Sequence, residues 1–258
     1  MDGIGIPRDG KRNRCRVILI RYAMRLSRVG ESAWLKAQAA GVQSLYQRQL
    51  VRGKVYAVDG SGLGDELRLV ALVCVSATRP IIVAWRVLSG AASEKGKEAA
   101  VTRALIEQVL EAAGPNAISL LLADALYADG PLLAWLKYRK GIDALVSLPE
   151  DRLLYQDVQG LADAHLIEWT HHRYVRTVQG HKHIREVEVT AADDLTSWDG
   201  TTLAAATAGV PDATLWACLI RDVTTPEAAQ EPPMALVSTR RWQHGFAARP
   251  RLPPSLAH

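Results

Sequence analysis

Two aspartates, Asp59 and Asp124, are the residues of this 258-residue chain whose setting could best support chemistry. Each follows a short run of apolar residues and is followed by small or turn-forming residues. Two carboxylates in one cleft repel each other unless a cation lies between them or one of them is protonated. Mg²⁺ or Mn²⁺ binds one or two carboxylates and completes its shell with water and phosphate oxygens. The pair therefore predicts a divalent-metal site, although either aspartate alone is typical of a turn or a helix cap.

The apolar runs around the aspartates predict strands of a single sheet. The predicted elements are a helix over 32–50, strands over 55–58, 67–73 and 81–87, a helix over 94–113, a strand over 118–122, a helix over 130–139 and a strand over 144–147. A right-handed crossover through the second helix can place the fourth strand beside the first, parallel to it. Both aspartates would then follow neighbouring strands, where a crevice at the strand ends takes ligands.

The second half of the chain has a different pattern. Residues 165–220 alternate between apolar and polar side chains, which predicts an antiparallel β module inserted after the fifth strand. We predict an α/β fold, a mixed sheet with flanking helices, in four parts. These are a basic arm and helix (1–50), the first part of the core (51–150), the β-rich insertion (151–233), and a last core strand with a Pro/Arg-rich tail (234–258).

Charge is unevenly distributed along the chain. Residues 1–54 carry 12 basic and 3 acidic side chains, residues 55–231 carry 15 basic and 24 acidic ones, and residues 232–258 carry four arginines and no acid. A basic arm beside an acidic body is common in proteins that approach a polyanion such as DNA. An Ala/Arg-rich composition gives the same pattern, so charge alone does not identify the partner.

Composition excludes several classes of protein. A hydrophobic fraction of 48% excludes a wholly disordered chain. No apolar run reaches the roughly 18 residues that span a bilayer, and Arg21 interrupts the best N-terminal candidate. Cys15, Cys74 and Cys218 lie far apart, which disfavours a disulfide framework and indicates a reducing compartment, the cytoplasm.

Two stretches resemble the DDE transposases of bacterial insertion sequences, in the branch whose RNase H-like core is interrupted by a β-rich insertion. They are VYAVDGSGLGDELRLVALV, residues 55–73, and LLLADALYADGPLLAWLKYRKGIDALVSLP, residues 120–149. Asp59 matches the family's first catalytic aspartate, in its Asp-Gly-Ser setting. Asp124 matches the second, which precedes an aromatic-x-Asp-Gly segment, here Tyr127, Asp129 and Gly130. The resemblance covers about residues 50–240.

The resemblance implies metal-dependent DNA chemistry. With Mg²⁺ or Mn²⁺, the family nicks DNA at insertion-sequence ends and then transfers the strand through a 3′-hydroxyl; two metal ions stabilise the attacking and leaving oxygens. It implies DNA as the partner, together with a second copy of the chain or a full-length transposase, and no membrane.

The chain departs from the family after its last core strand. The family carries a third carboxylate there, a Glu on a helix within a Tyr…Arg…Glu…Lys signature. Residues 235–240 resemble that strand, and Arg241, Trp242 and Gln243 resemble the segment before the Glu. Residues 232–258 contain no Asp or Glu, and Glu227 and Glu231 precede the strand. We therefore expect a catalytically inactive remnant, through a deletion or frameshift near Arg240, with a shortened N-terminal DNA-recognition region.

Weaker candidates and alternatives remain. Lys137, Arg139 and Lys140 end a predicted helix, where they suit either DNA or the helix dipole. Trp198 could stack on an unpaired base, or pack in the core of the β module. Four histidines (His171, His172, His181 and His183) lack a completing ligand at zinc spacing, so exposed hairpin positions are favoured.

Two other functions stay open. One is a non-catalytic fragment that inhibits by binding DNA or transposase, and the other is an RNase H-fold nuclease with a third acid from elsewhere.

Overall fold

The computed structural model describes residues 31–62, 67–76, 80–89, 97–178, 181–196, 198 and 213–240. The predicted arm and the tail after Arg240 lie outside these residues. Four helices are described: α1 (Glu31–Gln47), α2 (Glu98–Ala113), α3 (Gly130–Ala134, continuing as a π-helical turn, Trp135–Lys140) and α4 (Leu153–Asp163). The described strands are β1 (Val55–Gly62), β2 (Leu67–Cys74), β3 (Ile81–Ser89), β4 (Leu120–Ala123), β5 (Asp143–Leu148), β6 (Thr170–Val178), β7 (His181–Leu195), β8 (Leu215–Asp222) and β9 (Met234–Ser238).

The strands form one mixed sheet in the order β3-β2-β1-β4-β5-β9-β8-β7-β6. β1, β2 and β3 are an antiparallel meander, while β4 runs parallel to β1 and β5 runs parallel to β4. From β9 to β6 every pairing is antiparallel, including that of β9 with β5. The predicted α/β class and the predicted place of β4 beside β1 are therefore confirmed.

The hydrophobic core lies on one face of this sheet. It joins strand residues that share a face, such as Val58, Leu121 and Val146, with residues of all four described helices. On the opposite face, Ala57 and Leu145 are half-buried, and Leu122, 7% exposed, lies outside the core cluster. The described helices thus pack on one face of the sheet. None of them joins residues of the opposite face to this core.

Local sequence explains the elements that frame the site. In α2 the side chains that recur at helical spacing are buried (Val101, Leu105, Ile106 and Val109), and the helix ends at Gly114, whose φ of 94° favours glycine. β4 is an apolar run without alternation, and three of its four residues are buried. In α3, Asp129 caps the first turn, where Pro131 supplies a fixed φ and needs no hydrogen-bond acceptor.

One expectation, the end of β1, needed correction, and two further features were not predicted. β1 does not stop at residue 58, because pairing with β2 continues to Gly62 opposite Arg68. The small residues after Asp59 therefore belong to a strand, since a ladder partner outweighs their low strand propensity. Residues 153–163, which lie in the predicted β-rich insertion but had no predicted element, form α4, with Leu154, Tyr155, Val158 and Ala162 buried. Finally, β6, β7 and β8 extend the sheet of the core through β9, because β9 pairs on both sides.

Candidate metal site

Asp59 and Asp124 lie at neighbouring positions of adjacent strands. The parallel register of β1 and β4 ends with Val58 opposite Ala123, and the two aspartates follow these residues directly. Adjacent strands are about 4.8 Å apart, so the two backbones meet at the same end of the sheet. Both side chains are exposed. The structure thus places the two aspartates that the sequence singles out at neighbouring backbone positions.

Asp59 is held inside β1, opposite Ala71 of β2. Successive side chains of a strand point to opposite faces. Since Val58 is 3% exposed and belongs to the core, the Asp59 side chain belongs to the other face, together with Ala57. The prediction that Asp59 follows the strand is therefore wrong. Pairing with β2 continues past Asp59 to Gly62, whereas pairing with β4 ends one residue before it, at Val58.

Asp124 ends the extended backbone of β4 and begins a single 3₁₀ turn, Ala125–Tyr127. Its Oδ1 accepts a hydrogen bond from the Leu126 backbone N–H at 2.9 Å. The capping role that its type suggests is thus realised. A carboxylate offers about four acceptor positions, so this bond leaves capacity for a cation.

A second group of polar residues supports this end of the sheet from the helix side. Arg68 of β2 lies opposite Gly62, and its Nη1 donates to Oε1 of Glu98, in the first turn of α2, at 2.9 Å. Glu98 is 6% exposed, so the ion pair satisfies a buried carboxylate. Glu98 is therefore committed to Arg68. Neither residue was singled out by sequence reasoning. An acid in the first turn of a helix that follows a hairpin was the available signal for Glu98.

A buried tyrosine, Tyr127, packs against Gly60 beside Arg68. Its side chain is 1% exposed, and its hydroxyl packs toward Gly60, because a Cβ added at Gly60 would lie 3.1 Å from the tyrosine oxygen and 3.2 Å from Arg68 Nε. Burial raises the pKa of Tyr127 well above its usual value. The nearby charge of Asp124 raises this pKa further, and that of Arg68 opposes it. The hydroxyl therefore stays protonated and is available as a donor.

The carboxylates that could complete a metal site are not gathered around the pair. Among the residues that the structure describes, no group of three or more His, Cys, Asp or Glu side chains is arranged to hold an ion. Glu227 and Glu231 are exposed and precede β9. Ala235, near the start of β9, pairs with Leu148, the last residue of β5. β9 therefore begins at the same end of the sheet as Asp124, and β5 lies between β9 and β4. Two aspartates therefore supply part of an octahedral shell, which fits weak binding of Mg²⁺ or Mn²⁺.

The predicted basic cluster lies elsewhere. Lys137 pairs with Asp143 at the start of β5, whose partner Leu120 begins β4, so the cluster is at the opposite end of the sheet from Asp124. Lys140 pairs with Glu107 at 3.2 Å and lies over the Trp135 ring, whereas Arg139 is exposed. The two lysines thus join α3 to β5 and α2, and the structure does not bring them to the aspartates.

Two further candidates occupy structural positions. Trp198 is 4% exposed and belongs to the hydrophobic core, so its ring is not placed to stack on a base in this fold. His171 and His172 lie on β6, where His171 Nε2 is 3.9 Å from Glu186 of β7. His171 is half exposed, as expected for a hairpin position.

The remaining expectations concern disulfides and membrane-spanning helices. Cys74 and Cys218 are both free thiols, and Cys15 lies outside the described residues. Among the helices that the structure describes, none combines the length and the apolar composition needed to cross a membrane.

In a comparison with known proteins, no family model matches the chain, and no curated protein sequence matches it.

Proposed function

We propose that this chain is the catalytic core of a DDE transposase of the insertion-sequence type, with an RNase H-like fold, which by itself lacks the third carboxylate. The observation that carries the proposal is the parallel register of β1 and β4, which sets Asp59 beside Asp124. The substrate would be DNA at insertion-sequence ends, and the cofactor Mg²⁺ or Mn²⁺.

The sheet order supports the RNase H-like core. Such a core has a three-stranded antiparallel meander followed by two parallel strands, in the order 3-2-1-4-5, with a helix leading into the fourth strand. The order β3-β2-β1-β4-β5, with α2 between β3 and β4, agrees with it. The first acid then lies on the central strand and the second just after the fourth, as Asp59 and Asp124 do.

The later strands support the transposase branch of this fold. β6, β7 and β8 separate β5 from β9 in sequence, yet β9 returns to pair with β5. A β-rich segment inserted before the last core strand is the arrangement that the resemblance implies.

The chemistry of the site follows from its carboxylates. In two-metal sites the ions stabilise the attacking and leaving oxygens of an in-line displacement at phosphorus. Asp59 and Asp124 would hold one ion between them, while Arg68 keeps Glu98 from serving as a ligand. Residues 232–258 contain no acid, so the second ion has no further carboxylate there. We infer that the chain alone binds metal weakly and cleaves DNA poorly.

A non-catalytic role is the second candidate. The absence of a three-acid cluster among the described residues favours a fragment that binds element ends, or a full-length transposase, without cutting. Such a fragment would inhibit transposition by occupying the DNA or the partner.

Cleavage of supercoiled plasmid carrying terminal inverted repeats tests the proposal. With Mg²⁺ or Mn²⁺ we expect nicking near background, and restored nicking when the chain is extended by a helix carrying Tyr…Arg…Glu…Lys after Arg240. Asp59→Ala in the extended chain should abolish the restored activity. Repeat-independent nicking by the unextended chain, lost in Asp59→Ala, would instead identify a nuclease with its own third acid.

A further inference from the structure

A two-stranded ribbon extends beyond the rest of the sheet. β8 pairs with β7 only as far as Val187, with one further backbone hydrogen bond from the Val223 N–H to the Glu186 carbonyl. β6 continues to pair with β7 beyond this point. The ladder that continues joins residues 173–178 to residues 181–186 over about 20 Å, and we call these two segments the ribbon.

The ribbon is basic, although the part of the chain around it is acidic. Residues 173–186 carry three arginines and one lysine against a single acid, Glu186, whereas residues 55–231 as a whole carry 15 basic and 24 acidic side chains. The side chains of Arg173 and Arg185 are 61% and 56% exposed, and Lys182 is exposed as well. A positive projection on a negative body concentrates the attraction for a polyanion at one place.

The acids near the ribbon hold its arginines only loosely. Arg173 lies 3.5 Å from Glu186, and Arg185 lies 3.7 Å from Asp222 of β8. Exposed pairs of this kind contribute little to stability, so a phosphate can compete with them. A guanidinium group binds phosphate oxygens in a bidentate manner, which a carboxylate at these distances does not match.

The ribbon leaves the sheet at the end where the two aspartates lie. Leu148, the last residue of β5, pairs with Ala235 near the start of β9, and Met234 pairs with Ile220 near the end of β8. Because β7 is antiparallel to β8, its first residues continue past this same end. Five strand spacings separate β1 from β7, which is about 24 Å across the sheet, or about seven base pairs of a DNA duplex.

One face of the ribbon belongs to the face of the sheet that carries Asp59. Residues paired across adjacent strands share a face, as do alternate residues of one strand. From β1 this face passes through Leu122, Leu145, Ser238 and Trp216. In β8 and β7 it continues through Ile220 and Val189 and reaches Arg185, which lies opposite the exposed Tyr174. A polyanion lying across this face would contact Arg185 and approach Asp59.

We propose that the ribbon binds duplex DNA, with its two strands in the major groove and with Arg173, Lys182 and Arg185 on the phosphates. The major groove of B-form DNA admits a two-stranded β-ribbon, whereas the deep, narrow major groove of an RNA duplex does not. The inference deepens the proposed function, on which it rests for the choice of DNA, because it names the element that holds DNA beside the metal site.

The experiment measures binding of the full chain to a fluorescently labelled DNA duplex, without metal, by anisotropy over a range of NaCl concentrations. The ribbon variant combines Arg173→Gln, Lys182→Gln and Arg185→Gln. At about 0.1 M salt its affinity should fall by at least about tenfold. The slope of log K against log[salt] should decrease in magnitude by about 2 to 3, since each phosphate contact contributes about 0.9.

The matched control variant combines Arg48→Gln, Arg52→Gln and Lys54→Gln, which also neutralise two arginines and one lysine. All three residues are exposed and lie in the segment that leads into the start of β1, at the end of the sheet opposite the aspartates. The control variant should bind DNA with nearly wild-type affinity and salt slope. Both variants should melt at the wild-type temperature, because exposed charges contribute little to stability.

Each contrary result has a distinct meaning. Wild-type affinity and salt slope in the ribbon variant would overturn this inference and leave the metal site standing; the ribbon's charges would then serve only to protect an open sheet edge from pairing. Equal losses in the ribbon and control variants would also overturn it, because affinity would follow net charge rather than position. Equal affinity for an RNA duplex would exclude the groove contact. No DNA binding by the wild type would overturn both this inference and the proposed function.

Discussion

The ion pair between Arg68 and Glu98 should respond unequally to removal of its two members. The Glu98 side chain is 9% exposed and that of Arg68 is 38% exposed. Arg68→Met leaves a carboxylate buried without an opposite charge, a loss of roughly 3–5 kcal/mol for a fully buried pair. Because Arg68 is partly exposed and Glu98 lies in the first turn of α2, where the helix dipole favours an anion, we expect about 3 kcal/mol.

Glu98→Gln should cost much less. The guanidinium left behind reaches water, so the expected loss is about 1 kcal/mol, the value of a largely exposed pair. In the double variant no buried charge remains. Its stability should therefore lie near that of Glu98→Gln alone, with a coupling energy of about 3 kcal/mol.

Urea unfolding at pH 7 measures this cycle, since the transition midpoint at constant slope reports the free energy of unfolding. Thermal melts give an independent reading, at about 2–4 °C per kcal/mol for a domain of this size. Equal losses in the two single variants, or a double variant less stable than Arg68→Met, would refute the burial argument.

Three other predictions concern pH, thiol reactivity and DNA. Burial raises the pKa of Tyr56 and Tyr46, whose hydroxyls are hydrogen-bonded to each other. Their contribution to stability should be complete below about pH 10 and lost as the pH rises above it, so urea midpoints should fall there and less so in Tyr56→Phe. Burial raises the pKa of the Cys218 thiol to about 12. Cys218 is half-buried, so a variant that keeps only this cysteine should react with thiol reagents at pH 8 more slowly when native than when unfolded, and equal rates would contradict this. Deleting residues 1–30, which carry eight Arg and Lys, should weaken DNA binding and flatten its salt dependence; unchanged affinity in filter binding would exclude the arm.

The strand pattern of the core could be predicted from sequence because each strand is an apolar run bounded by turn residues. The place of β4 beside β1 followed from the handedness of crossovers rather than from any single residue. The extent of β1 could not be predicted in this way. Gly60, Ser61 and Gly62 have low strand propensity, and only the pairing with β2 makes them extended.

The aspartates of the candidate site were predictable because acids after apolar runs stand out. Its supporting residues were not. Arg68 and Glu98 are 30 positions apart in sequence, and their contact depends on how α2 packs against β2. Similarly, the sequence left open whether Trp198 stacks on a base or packs in the core, and tertiary packing decides for the core.

Calorimetric titration with Mn²⁺ tests the central claim most directly, because it asks whether Asp59 and Asp124 act on one ion. Asp129→Asn is the matched control: Asp129 lies just after the turn that Asp124 begins, and its carboxylate caps α3 by accepting from the Leu132 N–H at 2.7 Å, a role that Asn retains. The account predicts weak binding of one Mn²⁺ by the wild type and by Asp129→Asn, and none by Asp59→Asn or Asp124→Asn. Equal binding by the wild type and an Asp59→Asn, Asp124→Asn double variant would contradict it.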